Sequence, residues 1–252
     1  MIRLLRSILT IMLMLFTITS VSLAKSIDWD SLDSGQKKHA KYIYNIVQDK
    51  DVAIMMVAIA YQESRLGLTP VNLSDPGCGV FHTMMPIYLR KHKIKDTPLN
   101  RNIHCGKILH DKAIDYRTAF EGIEYWIGVH RNNKAKIAKL KPNQLTKKQK
   151  LAMNASITEL VIRSYNKGFN YDVDFATKYY KSVASYISIV KRWVDEGKLS
   201  INGKYHPGVL VSKYPTDSVT LGDISIPKAV SSNKVSGTEV NKTENKLSEL
   251  FF

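Results

Sequence analysis

Between Val52 and Gly67 the chain runs Val-Ala-Ile-Met-Met-Val-Ala-Ile-Ala-Tyr-Gln-Glu-Ser-Arg-Leu-Gly. A helix that is apolar on every side is stable only when other helices surround it, so this segment predicts the buried centre of a helical domain. One acid, Glu63, stands where that run meets polar residues. A carboxyl among such neighbours is stripped of hydration, which disfavours its charged form and suits a general acid working near neutral pH. The alternative role is an ion pair with Arg65 or another basic neighbour at the point where the helix surfaces.

The remaining sequence reads as helices joined by polar turns, without a convincing alternating strand. The pattern predicts helices over 34–49, over the Glu63 run with Asp51 as N-cap and Gly67 as its stop, over 85–91, 102–114 and 118–132. A Thr146/Gln149 capping box opens another that continues to Arg163. The last starts near Asp174 and sets Tyr179, Val183, Tyr186, Ile187, Val190 and Trp193 at helical spacing, a stripe expected to be core. The fold class expected is therefore all-α.

At the N-terminus, Arg3 and Arg6 precede an apolar stretch from about Ile8 to Val21, and Ser22-Leu23-Ala24 forms a small-x-small cleavage pattern. This predicts a secretory signal over 1–24, with an uncleaved anchor as the alternative. A domain over 25–196 follows, and a flexible basic tail over 197–252, where Gly, Ser, Thr, Lys, Pro and Asn dominate. The chain carries 37 Lys and Arg against 22 Asp and Glu, a formal charge of +15. That excess favours an anionic polymer. An exported chain makes nucleic acid an unsuitable one and leaves cell-wall glycan. After signal cleavage no segment is expected to span a membrane, and the expected location is periplasmic or secreted.

Both cysteines, Cys78 and Cys105, lie beside glycines. In an oxidising compartment such a pair is most simply a disulfide, and closing a loop of that length stabilises by roughly 3 kcal/mol in the chain-entropy model. A zinc set could be assembled from Cys78, His82, His104 and Cys105, but adjacent residues such as His104 and Cys105 rarely reach one ion. The expectation is no metal and no cofactor.

Four further segments follow Glu63-Ser64 in order: 74–82 (Ser-Asp-Pro-Gly-Cys-Gly-Val-Phe-His), 102–109 (Asn-Ile-His-Cys-Gly-Lys-Ile-Leu), 164–168 (Ser-Tyr-Asn-Lys-Gly) and 177–180 (Thr-Lys-Tyr-Tyr). Together they resemble the catalytic domain of the soluble lytic transglycosylases, over roughly Asp33 to Trp193. The resemblance implies a lysozyme-like helical domain with a cleft. It also implies cleavage of the β-1,4 linkage between N-acetylmuramic acid and N-acetylglucosamine in peptidoglycan, closing a 1,6-anhydro ring. It assigns the acid and then base role to Glu63, and substrate contacts to Ser64, Ser74, His82, Tyr165, Asn166 and Tyr180. Peptidoglycan strands are then the partner, with a secretion or conjugation apparatus as a possible second.

The pattern is not complete. The family usually has Gly-Leu-Met-Gln where this chain has Gly79-Val80-Phe81-His82, and Ala176 stands where a Glu is common. Glu121 or Glu124 could supply an acid instead. Two other functions fit the same residues: a lysozyme-like hydrolase, with Asp75 to position water, and a wall-binding assembly protein without turnover.

Overall fold

Side-chain caps decide where most of the helices begin. A computed structural model describes residues 27–72, 76–200, 209–214 and 219–221, all but Ile27 inside the unit Asp28–Ile226. The expected signal over 1–24 lies outside the described residues. Helix α1, Ser34–Ile46, opens on a reciprocal box: Asp33 accepts from the Gln36 N–H at 2.8 Å, and Gln36 Oε1 accepts from the Asp33 N–H at 2.9 Å.

Helix α2, Lys50–Ser64, starts earlier than the sequence suggests, because Asp49 rather than Asp51 is its cap. Asp49 Oδ1 accepts from the N–H of Asp51 at 3.0 Å and of Val52 at 3.1 Å. Every residue from Val52 to Ala60 is buried. The helix ends through three consecutive left-handed residues, Arg65 (φ 52°), Leu66 (φ 58°) and Gly67 (φ 85°). A left-handed non-glycine costs about 1–2 kcal/mol. Full burial of the Leu66 side chain returns roughly 2 kcal/mol, so the sharp reversal is tolerated.

Helix α8, Asp174–Asp195, packs along α2, and α1 covers another flank. Its apolar stripe faces inward as expected, with Tyr179, Val183, Ile187, Val190 and Trp193 all buried. Aromatic contacts join the layers: the Tyr61 ring lies 4.7 Å from that of Tyr186, and Trp29 meets Trp193 at 5.3 Å. The described residues are thus mostly helical, with α2 at the centre.

A small lobe follows α2. Strand β1, Gly77–Cys78, pairs antiparallel with β2, Thr83–Met84, in the register Gly77↔Met84 and Cys78↔Thr83. Two-residue strands are too short to show alternation, which is why the sequence gives no sign of them. Helix α3, Met85–Lys91, and helix α4, Pro98–His110, complete the lobe. Helix α4 starts ahead of its expected place because Thr97 caps the Asn100 N–H at 3.1 Å, with Pro98 in the first turn. Cys78, Met85, Tyr88, Leu89 and Ile108 form its core. Cys78 and Cys105 are disulfide-bonded, tying β1 to α4 and leaving neither sulfur as a thiolate for a metal.

Helix α5, Lys112–Ile137, crosses beside this lobe. The single helix expected from Thr146 to Arg163 is broken into α6, Lys147–Asn154, and α7, Ile157–Lys167. The break is at Ser156, whose hydroxyl accepts from the Glu159 N–H at 3.0 Å and starts a new helix. Helix α7 ends at Gly168, whose φ of 56° and ψ of −131° form a combination open to glycine but not to a residue with Cβ.

Parts of the expected tail lie along the helices. Leu210 forms a parallel bridge to Val47, donating to Ile46 O at 2.7 Å and accepting from the Gln48 N–H at 3.0 Å. Glu124 accepts from Ser212 Oγ and the Lys213 N–H, each at 2.7 Å. Val219 and Leu221 are buried, and Leu221 donates to Asp51 at 3.2 Å. Backbone groups, the Ser212 hydroxyl and a few apolar residues spaced without a period make these contacts, so no helix or strand pattern announces them. No helix among the described residues is long and apolar enough to cross a membrane.

Candidate active site

The last turn of α2 delivers Glu63 to the inner side of the small lobe, with 16% of its side chain exposed. Each carboxylate oxygen has its own neighbour. Oε1 accepts a hydrogen bond from the Tyr179 hydroxyl, which reaches across from α8. Oε2 lies 3.6 Å from Nδ1 of His82, in the turn between β1 and β2. Burial holds the Tyr179 hydroxyl well above the usual phenol range, and the nearby Glu63 charge adds to the effect. Tyr179 therefore stays a donor at any working pH.

Tyr165, near the end of α7, donates to Phe81 O at 3.2 Å. Burial raises its hydroxyl too, followed by the charges of Glu63 and Asp115. Tyr165 thus stands close to the Glu63 carboxyl and fastens the backbone next to His82. Its neighbour Asn166 is half-buried, and its Oδ1 is shielded from solvent without a hydrogen-bond donor among the described residues.

The β1–β2 turn is held from below by Asp115 in the first turn of α5. This carboxyl is wholly buried. It accepts from the N–H of Val80 at 2.5 Å and of Phe81 at 3.3 Å, and from Thr83 Oγ1 at 3.0 Å. Burial raises it to about 6 against the pull of those three donors. At Gly79 (φ 91°) a Cβ would sit 2.5 Å from Asp115 Oδ2, so the turn fits over the carboxyl only with glycine there. Nothing in the sequence pattern sets Asp115 apart from other helix-start acids; only the fold shows its function.

His82 sits in the left-handed region at φ 45°. Its Nε2 lies 2.8 Å from Thr69 O, and a carbonyl can only accept, so Nε2 carries the hydrogen. Backbone strain of this kind persists where the surroundings enforce it, and here Asp115, Tyr165 and Thr69 do so.

Two of the expected substrate contacts are placed differently. Ser64 is fully buried: its hydroxyl donates to Val80 O at 2.6 Å and accepts from the Gly67 N–H at 2.7 Å. It pins the turn to the end of α2. Tyr180 packs against the Arg163 guanidinium at 5.5 Å, and its neighbour Tyr179 is the one that meets Glu63. Ser74 and Asp75 lie outside the described residues.

The acids weighed as substitutes are committed elsewhere. Glu121 pairs with Lys91. Both Glu124 oxygens serve the 212–213 backbone and side chain. A hollow lined by Phe120, Tyr125, Val129 and Tyr214 adjoins that strap rather than Glu63. Ala176 is fully buried, so no acid occupies that position in any form. No group of three or more metal-ligating side chains is present among the described residues.

No family model matches the chain, and no similar protein is found among curated proteins or solved structures.

Proposed function

We propose that this chain is a peptidoglycan lytic transglycosylase with a lysozyme-like catalytic domain, exported to the periplasm or beyond, and that Glu63 is its general acid and base. The observation that supports the reading most is the setting of Glu63: a part-exposed carboxyl on the end of a wholly buried helix, oriented by Tyr179 and flanked by Tyr165 and His82. The ordered motifs around it and the charge of +15, suited to an anionic wall polymer, agree with it.

The chemistry needs only one carboxyl. Protonated Glu63 donates to the departing glycosidic oxygen as its bond to C1 breaks, while the carbonyl oxygen of the sugar's own 2-acetamido group bonds to C1 from within, as in substrate-assisted glycosidases. The resulting carboxylate then takes the proton of the C6 hydroxyl, whose oxygen bonds to C1 and displaces the acetamido oxygen. Intramolecular attack avoids the entropic cost of fixing a water. Tyr179, donating to Oε1, leaves Oε2 as the oxygen that exchanges the proton.

Digestion of purified sacculi tests this. Wild type should release anhydro-muropeptides that borohydride does not reduce, and Glu63→Gln should lower the rate by about 10³-fold, within the range for a general acid. Reducing ends would assign the site to hydrolysis instead. An inert wild type would leave wall binding as the function.

A further inference from the structure

Glu63 and His82 face each other in a way that fixes where a proton can reside. Because Nε2 donates to Thr69 O at 2.8 Å, neutral His82 is the Nε2–H tautomer and presents an unprotonated Nδ1. That nitrogen lies 3.6 Å from Glu63 Oε2. With both groups deprotonated, a lone pair would confront a carboxylate oxygen across a site that exposes 12% of one side chain and 16% of the other. One proton placed there removes the repulsion.

We propose that Glu63 and His82 hold one proton between them, so that His82 is the proton-holding partner of the catalytic carboxyl rather than a sugar contact. This deepens the transglycosylase reading and rests on it for its role in turnover. As the bond from C1 to the leaving oxygen breaks, the pair's proton passes to that oxygen. As the C6 oxygen bonds to C1, the hydroxyl proton returns to the pair. No proton, oxidant or reductant is consumed.

Three neighbouring groups hold this arrangement in place. From α8, Tyr179 donates to Oε1 and stays protonated. From α7, Tyr165 donates to Phe81 O, beside His82. From α5, Asp115 binds the backbone of Val80 and Phe81 and the hydroxyl of Thr83, on both sides of His82.

Two measurements test the pair. Nitrogen NMR of the imidazole should report the Nε2–H tautomer, and the His82 titration midpoint should fall by about one pH unit in Glu63→Gln, as expected when a neighbouring negative charge is removed. An unchanged midpoint, or the other tautomer, overturns the proposal. On sacculi, His82→Asn should move the alkaline limb of the rate profile down by about one pH unit; asparagine is chosen because it tolerates positive φ. His82→Gln should do the same, and a limb unmoved in both folded variants overturns the proposal. The titration needs no turnover. A shifted midpoint in a protein inert on sacculi would support the pair while removing the enzymatic reading.

Discussion

The Tyr179 hydroxyl donates to Oε1 of Glu63, so the catalytic candidate on α2 is oriented by α8, the helix most extensively packed against it. A carboxyl that ends a helix can otherwise rotate about its terminal bonds. With Oε1 engaged by a phenol that never ionises near neutral pH, the two oxygens are no longer equivalent, and only Oε2 is left to exchange protons.

Tyr179→Phe removes that donor while keeping the buried ring. A hydrogen bond to a charged group contributes about 1.5–3 kcal/mol, so turnover on sacculi should drop roughly 10- to 100-fold while the variant stays folded at assay temperature. Tyr180→Phe, whose ring packs on Arg163, should alter the rate by less than about threefold, within the ±0.5 kcal/mol of substitutions that remove no special feature. Steady-state rates for the two variants side by side check the assignment.

Ser64→Ala separates a structural from a substrate-binding hydroxyl. The substitution strips Val80 O of a donor and the Gly67 N–H of an acceptor in a fully buried place. Leaving them unmet should cost about 2–3 kcal/mol of stability. The Michaelis constant of the surviving folded enzyme should stay within twofold of wild type, measured below the variant's melting temperature.

Stability should fall as pH drops from about 6.5 towards 4. Burial lowers His130 to about 4 from 6.5; the unfolded chain takes up that proton first, so the stabilisation of a neutral folded His130 is lost on acidification. The shift is worth about 3 kcal/mol at most. His39, also lowered to about 4, acts with the same sign. Asp115, raised from 3.8 to about 6, opposes them: it favours the folded state at low pH, and its contribution is lost as pH rises through about 6, with a magnitude near that of one histidine. Two groups against one leave a net loss on acidification. Thermal melts from pH 4 to 7 check this, and Asp115→Asn should make the slope steeper.

Most helices of this chain were readable because the rules they obey are local, although the Ser156 break between α6 and α7 was not. The apolar run of α2, the stripe on α8 and the Thr146 box all follow from spacing and capping within a few residues. The disulfide was readable from a pair of cysteines beside glycines and the oxidising compartment expected for the chain. Glu63 stood out for the same reason as α2, an acid against a greasy background. What was not readable depends on contacts between distant segments. Neither the partnership of Tyr179 rather than Tyr180 with Glu63 nor the burial of Asp115 under the turn has a sequence signature, since adjacent tyrosines differ by about 100° around a helix and only packing decides which points inward. The strap over 209–214 escaped for a related reason. Apart from the Ser212 hydroxyl, its anchors are backbone groups, which every residue carries.

Glu124→Gln should loosen that strap. The carboxylate accepts from Ser212 Oγ with one oxygen and from the Lys213 N–H with the other, and it is 5% exposed. An amide keeps one acceptor and turns an NH₂ towards the remaining donor, so one charge-assisted bond is replaced by a donor–donor contact costing about 1.5–3 kcal/mol. The cost is paid locally, because the strap is also held at Leu210 by the bridge to Val47 and at Leu221 by Asp51. Trypsin cleavage after Lys213, followed by mass spectrometry, should therefore accelerate at least tenfold. Cleavage within α5 should stay as slow as in wild type. Equal acceleration at both places would mean that Glu124 supports the helical core and not the strap.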